Sequence, residues 1–431
     1  METALLASMR QLLYDIALTC AAPAGAVWLA VQRRNRPLLA RFSPRVPLVG
    51  TSPIWLHACS VGEVNVAKRL IPAIKEAMPE TAILLTCSTV TGMALARESF
   101  ADTPIAWFPF DHAIAVRRFY SAARPRMLVL IETELWPNVI REAHRRRVPV
   151  VMVNARISDK HFRRYRRAPR LFRDTLSRVA AAGAQNAAYT ERLVSLGLPL
   201  EAAHVTGNVK FDGTTMEVPS EVRDGLRAAC GIAATDQVLV FGSTRPGDEA
   251  LAATCWEALR GEFPALKLVI APRHAKRIEE ALSPFNEPIL RRSRAKEGAT
   301  PGGERIIAVD TLGELVAFYS LADVAVVGGS FYPGVNGHNP LEPAALGVAT
   351  VFGPYMSNFP DPARVLAECG GAVQVQAPEE LPGTLRDLLQ SPERRRAMGE
   401  RSREAIVANQ GAVARTVGLL SEVLLKSTRP A

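Results

Sequence analysis

An acidic residue stands where a predicted strand gives way to a predicted helix. Ser60-Val61-Gly62-Glu63 follows the apolar run Ile54–Ala58, and Gly62 permits the tight turn that opens a helix. Glu63 would then lie in the first helical turn, where a carboxylate within reach of a hydroxyl can act as a general base. A helix dipole also favours an acidic side chain there for structural reasons alone, so both interpretations stay open at this point.

Two further charged motifs end predicted strands of the first half. Residues 132–138 read Glu-Thr-Glu-Leu-Trp-Pro-Asn after an apolar run, and Pro137 suits the start of a helix. Residues 207–212 read Gly-Asn-Val-Lys-Phe-Asp, so Lys210 would point from the edge of the sheet and could meet an anionic substrate. A structural carboxylate at Glu132 and a solvent-facing Lys210 are the alternatives.

The second half carries turn chemistry suited to phosphate. Gly242-Ser243-Thr244 ends a predicted strand, and backbone N–H groups at such a turn can hold a phosphate or carboxylate. No Gly-Lys-Ser/Thr follows, so this is not a Walker loop. Arg273 could pair with a phosphate. Glu342, in the dense cluster 337–344, would lie in the first turn of a helix, where its oxygens could accept both hydroxyls of a ribose.

Several chemistries lose support. The sequence has no Asp-x-Asp, no His/Glu pair at metal-ligand spacing and no Gly-x-Ser-x-Gly, which argues against a metal-dependent transferase and a serine hydrolase. The six cysteines are scattered without Cys-x-x-Cys spacing, so we expect neither a zinc site nor a disulfide framework, and a reducing compartment. No metal and no cofactor is expected.

These residues need a scaffold of alternating strands and helices. Short apolar runs followed by helical patterns recur in two series, separated by the linker-like stretch Asp212–Ser220. The pattern predicts an α/β protein with two doubly wound parallel sheets and an interdomain cleft lined by loops at the strand ends. The expected divisions are an amino-terminal anchor over 1–45, one domain over 46–212, and a second domain with carboxyl-terminal helices over 213–431.

Charge and hydropathy point to an anionic partner and a membrane. The 431 residues carry a formal net charge of +10, and residues 141–178 alone hold twelve Arg and one Lys against three acidic residues. Leu12–Val31 is a mostly apolar run followed by a cluster of arginines, which predicts that the body stays in the cytoplasm. The dense arginine cluster argues against a cleaved signal peptide, whereas a single span and a helix lying in the interface are both open.

Read together, the motifs resemble the 3-deoxy-D-manno-octulosonic acid (Kdo) transferases of Gram-negative bacteria. The resemblance extends from the apolar amino terminus to about Phe359. It rests on eight motifs in order: SVGE at 60–63, ETELWPN at 132–138, NARIS at 154–158, GNVKFD at 207–212, GST at 242–244, PRH at 272–274, DTLGEL at 310–315 and HNPLEPA at 338–344.

The resemblance implies a GT-B fold of two Rossmann-like domains, CMP-Kdo as the donor, and the phosphorylated, acylated lipid A precursor (lipid IVA) as the acceptor in lipopolysaccharide biosynthesis. It implies an enzyme of the inner (cytoplasmic) membrane, with its catalytic body on the cytoplasmic side, that uses neither metal nor cofactor and binds no nucleic acid. The catalytic base falls on Glu63, and charged groups that support the transition state fall on Glu132 and Lys210. Contacts to CMP fall on Pro272, Arg273, Leu312, Gly313, Glu314, Asn339, Pro340, Leu341 and Glu342, and Gly242, Ser243 and Thr244 form a candidate loop for the donor phosphate or sugar.

The sequence departs from the family pattern in two places. Arg245 and Asp248 stand where His and Glu are more usual, and Lys160-His161-Phe162 replaces the usual second Ser after NARIS. These departures bear on the contacts to donor phosphate and acceptor. The alternatives are another membrane-associated GT-B glycosyltransferase with a UDP-sugar donor, and a non-catalytic nucleotide-sugar binding protein.

Overall fold

A computed structural model describes residues 2–47, 52–296 and 301–428. The described residues leave out 1, 48–51, 297–300 and 429–431. The expected ranges 1–45, 46–212 and 213–431 include these positions. The chain forms two compact units, residues 1–212 together with 410–431, and residues 213–409.

The first unit is built on a parallel seven-stranded sheet of order β3-β2-β1-β4-β5-β6-β7. Its central strands are continuous apolar runs buried on both faces, as a sheet covered by helices on each side requires. The strands are β1 Ile54–His57, β2 Ile83–Cys87, β3 Ile105–Trp107, β4 Met127–Ile131, β5 Val150–Ala155, β6 Ala181–Ala184 and β7 Ala203–Val205.

Helices connect these strands and cover the sheet. They are α1 Glu2–Val31, α2 Val61–Ala77, α3 Val90–Ser99, α4 Ala113–Ala123, α5 Pro137–Arg145, α6 Asp159–Tyr165, α7 Pro169–Leu176 and α8 Ala187–Leu196, with 3-10 turns at Arg36–Phe42, Leu200–Ala202 and Val209–Phe211. Pro137 and Pro169 occupy the first turns of their helices, where a missing N–H costs nothing.

The second unit repeats the plan with a sheet of order β10-β11-β9-β8-β12-β13-β14. Its strands are β8 Gln237–Thr244, β9 Leu266–Pro272, β10 Ile289–Arg291, β11 Ile306–Ala308, β12 Val324–Val327, β13 Ala349–Phe352 and β14 Ala372–Gln374. Its helices are α9 Ser220–Cys230, α10 Asp248–Leu259, α11 Ile278–Leu282, α12 Arg292–Lys296, α13 Leu315–Tyr319, α14 Leu341–Ala345, α15 Pro360–Glu368, α16 Leu381–Gln390 and α17 Pro392–Asn409, with 3-10 turns at Ala275–Arg277 and Pro378–Glu380.

The last helix, α18 Ala412–Thr428, returns to the first unit. This differs from the expectation that 213–431 form one domain. Leu420 and Leu424 of α18 join the core cluster that contains Leu70 of α2. Asp212 also accepts hydrogen bonds from the backbone N–H groups of Gly411 and Val413, at 2.8 and 2.5 Å. The first unit therefore buries the apolar side chains of α18, although this helix follows the second unit in the chain.

The amino-terminal helix α1 is the one described helix whose length and hydropathy would let it cross a membrane, over Tyr14–Val31. Most of that stretch is exposed, yet α1 is fixed to the first unit at polar points. The Tyr14 hydroxyl donates to Asp111 at 2.8 Å, and Arg141 pairs with Asp15 at 3.0 Å. Because α1 also contacts α7, the apolar helix lies beside the Arg-rich residues 141–178, the basic segment.

Candidate active site

Glu63 lies in the first turn of α2, directly after β1, and its side chain is buried. Its Oε2 accepts a hydrogen bond from the backbone N–H of Cys59 at 2.5 Å, and its Oε1 accepts one from the Ser60 hydroxyl at 3.1 Å. Both donors favour the ionised carboxylate. Glu63 therefore has a fixed position at the carboxyl end of the sheet, in the helical turn where the sequence predicts it.

Burial and neighbouring negative charge oppose these donors. Burial, followed by the charges of Glu134 and Glu132, raises the pKa of Glu63 well above its ordinary value. Glu132 follows β4, the neighbour of β1 in the sheet, so the order of the strands brings these carboxylates to one edge. A carboxylate with a raised pKa is a stronger base than an exposed one, which suits the abstraction of a proton from a hydroxyl.

His57 and Glu134 also belong to this site. His57 is the last residue of β1 and is fully buried, with its ring stacked on Phe108 at a centroid separation of 3.7 Å. Its Nε2 lies 3.8 Å from Glu134 Oε2, and the Trp136 indole N–H donates to the same oxygen at 2.7 Å. Burial lowers the pKa of His57, so the imidazole is neutral at pH 7.

Arg41 brings a cation to these carboxylates from the 3-10 turn after α1. Its Nε donates to the carbonyl of Phe108 at 3.0 Å, and the guanidinium lies 4.4 Å from the centre of the Phe110 ring. Burial lowers the pKa of Arg41 to about 10, which leaves it charged at pH 7. Sequence reasoning did not select Arg41 or His57. A titratable residue at the end of a predicted buried strand is a signal that could have found His57, but no comparable signal marks Arg41.

Lys210 lies in the 3-10 turn after β7 and is half-buried. Arg69 of α2 donates to the carbonyl oxygens of Val209 and Lys210, at 2.7 and 2.9 Å. The backbone N–H of Val209 in turn donates to Asn154 Oδ1 at 3.1 Å. The helix that carries Glu63 therefore also fixes the turn that carries Lys210.

Strained backbone marks the same strand ends. Glu132, Asn154 and Ser243 have φ values of 60°, 52° and 56°, in the left-handed region that non-glycine residues avoid. Each lies at or directly after the carboxyl end of a central strand. Such strain persists where the surroundings fix it, and it is concentrated at functional sites.

The second unit places Gly242-Ser243-Thr244 at the end of β8, beside β12 and β9. Glycine is required at two positions. A Cβ on Gly242 would collide with the Tyr319 hydroxyl, and a Cβ on Gly328 would lie 2.6 Å from the Ser243 carbonyl oxygen. The loops after β8 and β12 therefore pack with backbone against backbone, which brings their N–H groups to one edge.

Cationic groups collect at that edge. The charges of Arg245, Arg273 and His274 act on His338, whose pKa is lowered to about 4 by burial first and by these charges next. Among the described residues, Arg245 Nε and His338 Nε2 are buried without a hydrogen-bond partner. Since buried polar atoms are normally satisfied, this edge suits an anion. Sequence reasoning selected Arg273 but treated Arg245 only as a departure and did not select His338.

The loop over 312–314 follows β11. Leu312 is 85% exposed, and Gly313 has a φ of 81°. The Glu314 side chain is held by Arg292 at 3.0 Å and by the Thr311 hydroxyl. Because the Glu314 carboxylate is already held, this loop offers a ligand mainly its backbone groups and the Leu312 side chain.

Residues 339–342 lead into α14, which packs against α13 beside the loop just described. Glu342 lies in the first turn, as predicted. Asn339 Nδ2 donates to Glu342 Oε1 at 3.1 Å, while Pro340 and Leu341 are buried. Asn339 therefore positions the Glu342 carboxylate. Pro272 lies half-buried at the end of β9, beside Thr244.

The structure thus forms two groups of candidate residues, one on each unit. Glu63, Glu132 and Lys210 share the carboxyl edge of the first sheet, and the remaining predicted residues share that of the second. One set of potential metal ligands, contributed by His57, Cys59 and Glu134, lies beside Glu63 within the described residues.

Two doubly wound sheets in tandem, with charged loops at their carboxyl edges, define a protein of the GT-B architecture. The fold is similar to that of the UDP-GlcNAc 2-epimerase of Neisseria meningitidis, with a TM-score of 0.56 and 12% identity over 87% of this chain and all of that one.

Sequence comparison is more specific. The family model of 3-Deoxy-D-manno-octulosonic-acid transferase (kdotransferase) matches residues 31–213. The chain is 31% identical to the 3-deoxy-D-manno-octulosonic acid transferase of Haemophilus influenzae, over 86% of this chain and 87% of that protein. It is 32% identical to that of Bordetella pertussis, over 95% and 99%. The chain belongs to the 3-deoxy-D-manno-octulosonic acid transferase family and is a glycosyltransferase, as its motifs predict.

Proposed function

We propose that the enzyme transfers Kdo from CMP-Kdo to a hydroxyl of the lipid A precursor lipid IVA in lipopolysaccharide biosynthesis, with Glu63 as the general base. The observation that carries this proposal is the environment of Glu63, a buried carboxylate fixed at a helix start with a raised pKa. Family membership supports the transferred sugar.

In the proposed step, the acceptor oxygen attacks the anomeric carbon of Kdo. The bond from that carbon to the CMP phosphate oxygen breaks, its electron pair leaves with CMP, and the acceptor proton passes to Glu63. Lys210 neutralises negative charge on the sugar carboxylate or the departing phosphate. Glu132 keeps the pKa of Glu63 high through its charge.

The second unit is proposed to bind CMP-Kdo. Gly242-Ser243-Thr244, Arg245 and Arg273 are assigned to the phosphate, since backbone N–H groups and guanidinium groups are its usual donors. Glu342, positioned by Asn339, is assigned to the ribose hydroxyls, with Pro272 and the segments 312–314 and 340–341 against the remaining nucleotide.

The acceptor is proposed to approach along the first unit from the inner membrane, with the catalytic body on the cytoplasmic side. Lys160, Arg163, Arg164 and Arg167, together with Asp159, line a cavity of about 380 Å³ on the basic segment. This cavity is next in sequence to a helix that contacts α1. Its cations suit the phosphates of the acceptor or of anionic lipid.

Replacing Glu63 with Gln tests the central claim. We expect transfer from CMP-Kdo to fall by a factor of about 100 or more, while CMP affinity measured by calorimetry stays within twofold, because Glu63 belongs to the other unit's sheet. Glu76→Gln, on the same helix, is the matched control. Turnover near the wild-type level in Glu63→Gln would remove this residue from the mechanism.

A competition experiment separates the donors. CMP should inhibit transfer at concentrations where UDP does not, and mass spectrometry of the lipid product should show the mass of added Kdo. Inhibition by UDP in preference to CMP would favour the alternative of a UDP-sugar transferase. Binding of CMP without any product would favour a non-catalytic binding protein.

A further inference from the structure

Three side chains of different chemistry meet beside Glu63. One potential ligand atom from each of His57, Cys59 and Glu134 lies within 4.8 Å of the other two. His57 is fully buried, and the other two are half-buried. The sequence does not reveal this cluster, because His57 ends β1 and Cys59 follows it, whereas Glu134 follows β4, more than seventy residues later.

The hydrogen bonds of His57 leave one ring nitrogen facing a carboxylate. Its Nδ1 lies 3.1 Å from both the carbonyl oxygen and the hydroxyl of Thr86. Because the carbonyl oxygen can only accept, we assign the proton to Nδ1. The lone pair on Nε2 then faces Glu134 Oε2 at 3.8 Å and the Ser88 hydroxyl at 3.4 Å. A lone pair opposite a carboxylate is repulsive, and a cation between them would reverse the sign of that interaction.

The cluster is held in the way that metal ligands are held. The Nδ1 contact to Thr86 and the stacking on Phe108 fix the plane of the imidazole, and the Trp136 indole N–H fixes the Glu134 carboxylate. Such outer partners orient the ligands in metal sites and determine much of their affinity.

We propose that His57, Cys59 and Glu134 bind one Zn²⁺ ion, with water as the fourth ligand. Imidazole, thiolate and carboxylate together suit zinc, whereas Mg²⁺ and Ca²⁺ require oxygen ligands. On binding, the Cys59 thiol releases its proton to solvent, and the resulting thiolate and the Glu134 carboxylate balance the charge of the ion. Glu63 Oε2 accepts the backbone N–H of Cys59 at 2.5 Å, so an ion held by Cys59 lies beside the proposed base and competes with the acceptor proton for its carboxylate, and zinc is an inhibitor of transfer. The inhibitory effect rests on the proposed role of Glu63, whereas the binding itself does not.

Binding is tested on the full-length, untagged protein in detergent after removal of metal with a chelator. Zn²⁺ affinity is measured by competition with a chromophoric chelator, and Co²⁺ is added as a spectroscopic probe. Wild-type protein should bind one Zn²⁺ and give the near-ultraviolet charge-transfer band of a thiolate bound to Co²⁺. The Cys59→Ser protein should lose that band and bind Zn²⁺ about tenfold more weakly or worse.

Cys369→Ser removes a half-exposed thiol of the second unit and is the matched control, which should keep both the affinity and the band. Circular dichroism checks the folding of each variant, and Glu134→Gln replaces Cys59→Ser in the affinity test should the latter be unfolded. Equal Zn²⁺ affinity in the wild type and the folded ligand variant, or a Co²⁺ spectrum without the thiolate band, would overturn the site.

Transfer assays address the effect on catalysis separately. Zn²⁺ should inhibit the wild type, EDTA should restore it, and the half-inhibiting concentration in Cys59→Ser should rise by the same factor as the dissociation constant. Binding as predicted without inhibition would uphold the metal site and refute its inhibitory effect, while the role of Glu63 in transfer is decided by Glu63→Gln.

Discussion

Buried carboxylates lie at the starts of helices in both units, and their surroundings act on their pKa values in opposite directions. Glu63 accepts two hydrogen bonds that favour its ionised form, yet burial and Glu134 raise its pKa. Asp248, in the first turn of α10, accepts bonds from the backbone N–H groups of Arg245 and Gly329 at 2.9 and 2.6 Å. Burial nevertheless raises the pKa of Asp248 to about 6.

Asp248 makes stability depend on pH. Because its folded pKa lies above the ordinary value of 3.8, ionisation favours the unfolded chain, and stability falls as the pH rises through about 6. The difference corresponds to roughly 3 kcal/mol at neutral pH. We therefore expect the stability of Asp248→Asn relative to the wild type to rise between about pH 4 and pH 6 and to stay level above that, measured by urea unfolding. Asp387→Asn, at an exposed position, should show no such trend, and a constant difference for Asp248→Asn would contradict the assignment.

Single residues differ in how far the sequence reveals them. The positions of Glu63 and Glu342 in a first helical turn were predictable, because the strand-to-helix turn before each of them is encoded within a few neighbouring residues. Arg41, His57 and Glu134 were not predictable as a group, because they meet only when β1, β4 and the turn after α1 are in place. Asn154, which positions the Lys210 turn, was quoted within a motif, yet its φ of 52° is visible only in the structure.

The strands also divide into those that the sequence predicts and those that it does not. The central strands were predicted from continuous apolar runs such as Ile54–Ala58, which contains β1 Ile54–His57. The four edge strands β3, β7, β10 and β14 have three residues each and were missed, because so short a run carries no readable period. Their pairing depends on a neighbour that is already part of the sheet.

Two helical glycines distinguish the effect of helix propensity on stability from the effect of close packing. Gly399 of α17 lies against Gly347, and a Cβ there would collide with the Gly347 carbonyl, whereas a Cβ on Gly225 of α9 would meet nothing within 4 Å. Gly399→Ala should therefore destabilise the protein by about 2 kcal/mol, and Gly225→Ala should stabilise it by about 0.5–1 kcal/mol. Chemical denaturation measures both, and an equal gain in the two variants would show that α17 does not require close approach.

At the scale of the whole molecule, α1 and the basic segment offer one unit two modes of membrane attachment. Deleting residues 1–35 should weaken association with anionic vesicles and leave a folded protein. Arg163→Ala/Arg167→Ala should cost about 2 kcal/mol of binding at low salt, since each basic residue near an anionic surface contributes about 1 kcal/mol. Vesicle sedimentation is the measurement, and neutral vesicles should show no effect of the double substitution.

Arg394→Ala/Arg396→Ala, at exposed positions on α17, is the matched control and should leave vesicle binding unchanged. Complete membrane binding after deletion of 1–35 would assign attachment to the basic segment alone. An equal loss in both double variants would mean that net charge, and not the basic segment, governs the association.

The return of α18 gives the chain an order of assembly that its sequence does not suggest. Leu420 and Leu424 complete the core of the first unit, and Asp212 accepts hydrogen bonds from the start of α18. A fragment of residues 213–409 should therefore fold cooperatively and melt at the same temperature as 213–428. Shortening the full chain to residue 409 should instead destabilise the first unit by several kcal/mol, since each buried leucine truncated costs about 2–5 kcal/mol. Calorimetry measures the melting of both fragments and of the shortened chain. A clearly higher melting temperature for 213–428 than for 213–409 would assign α18 to the second unit.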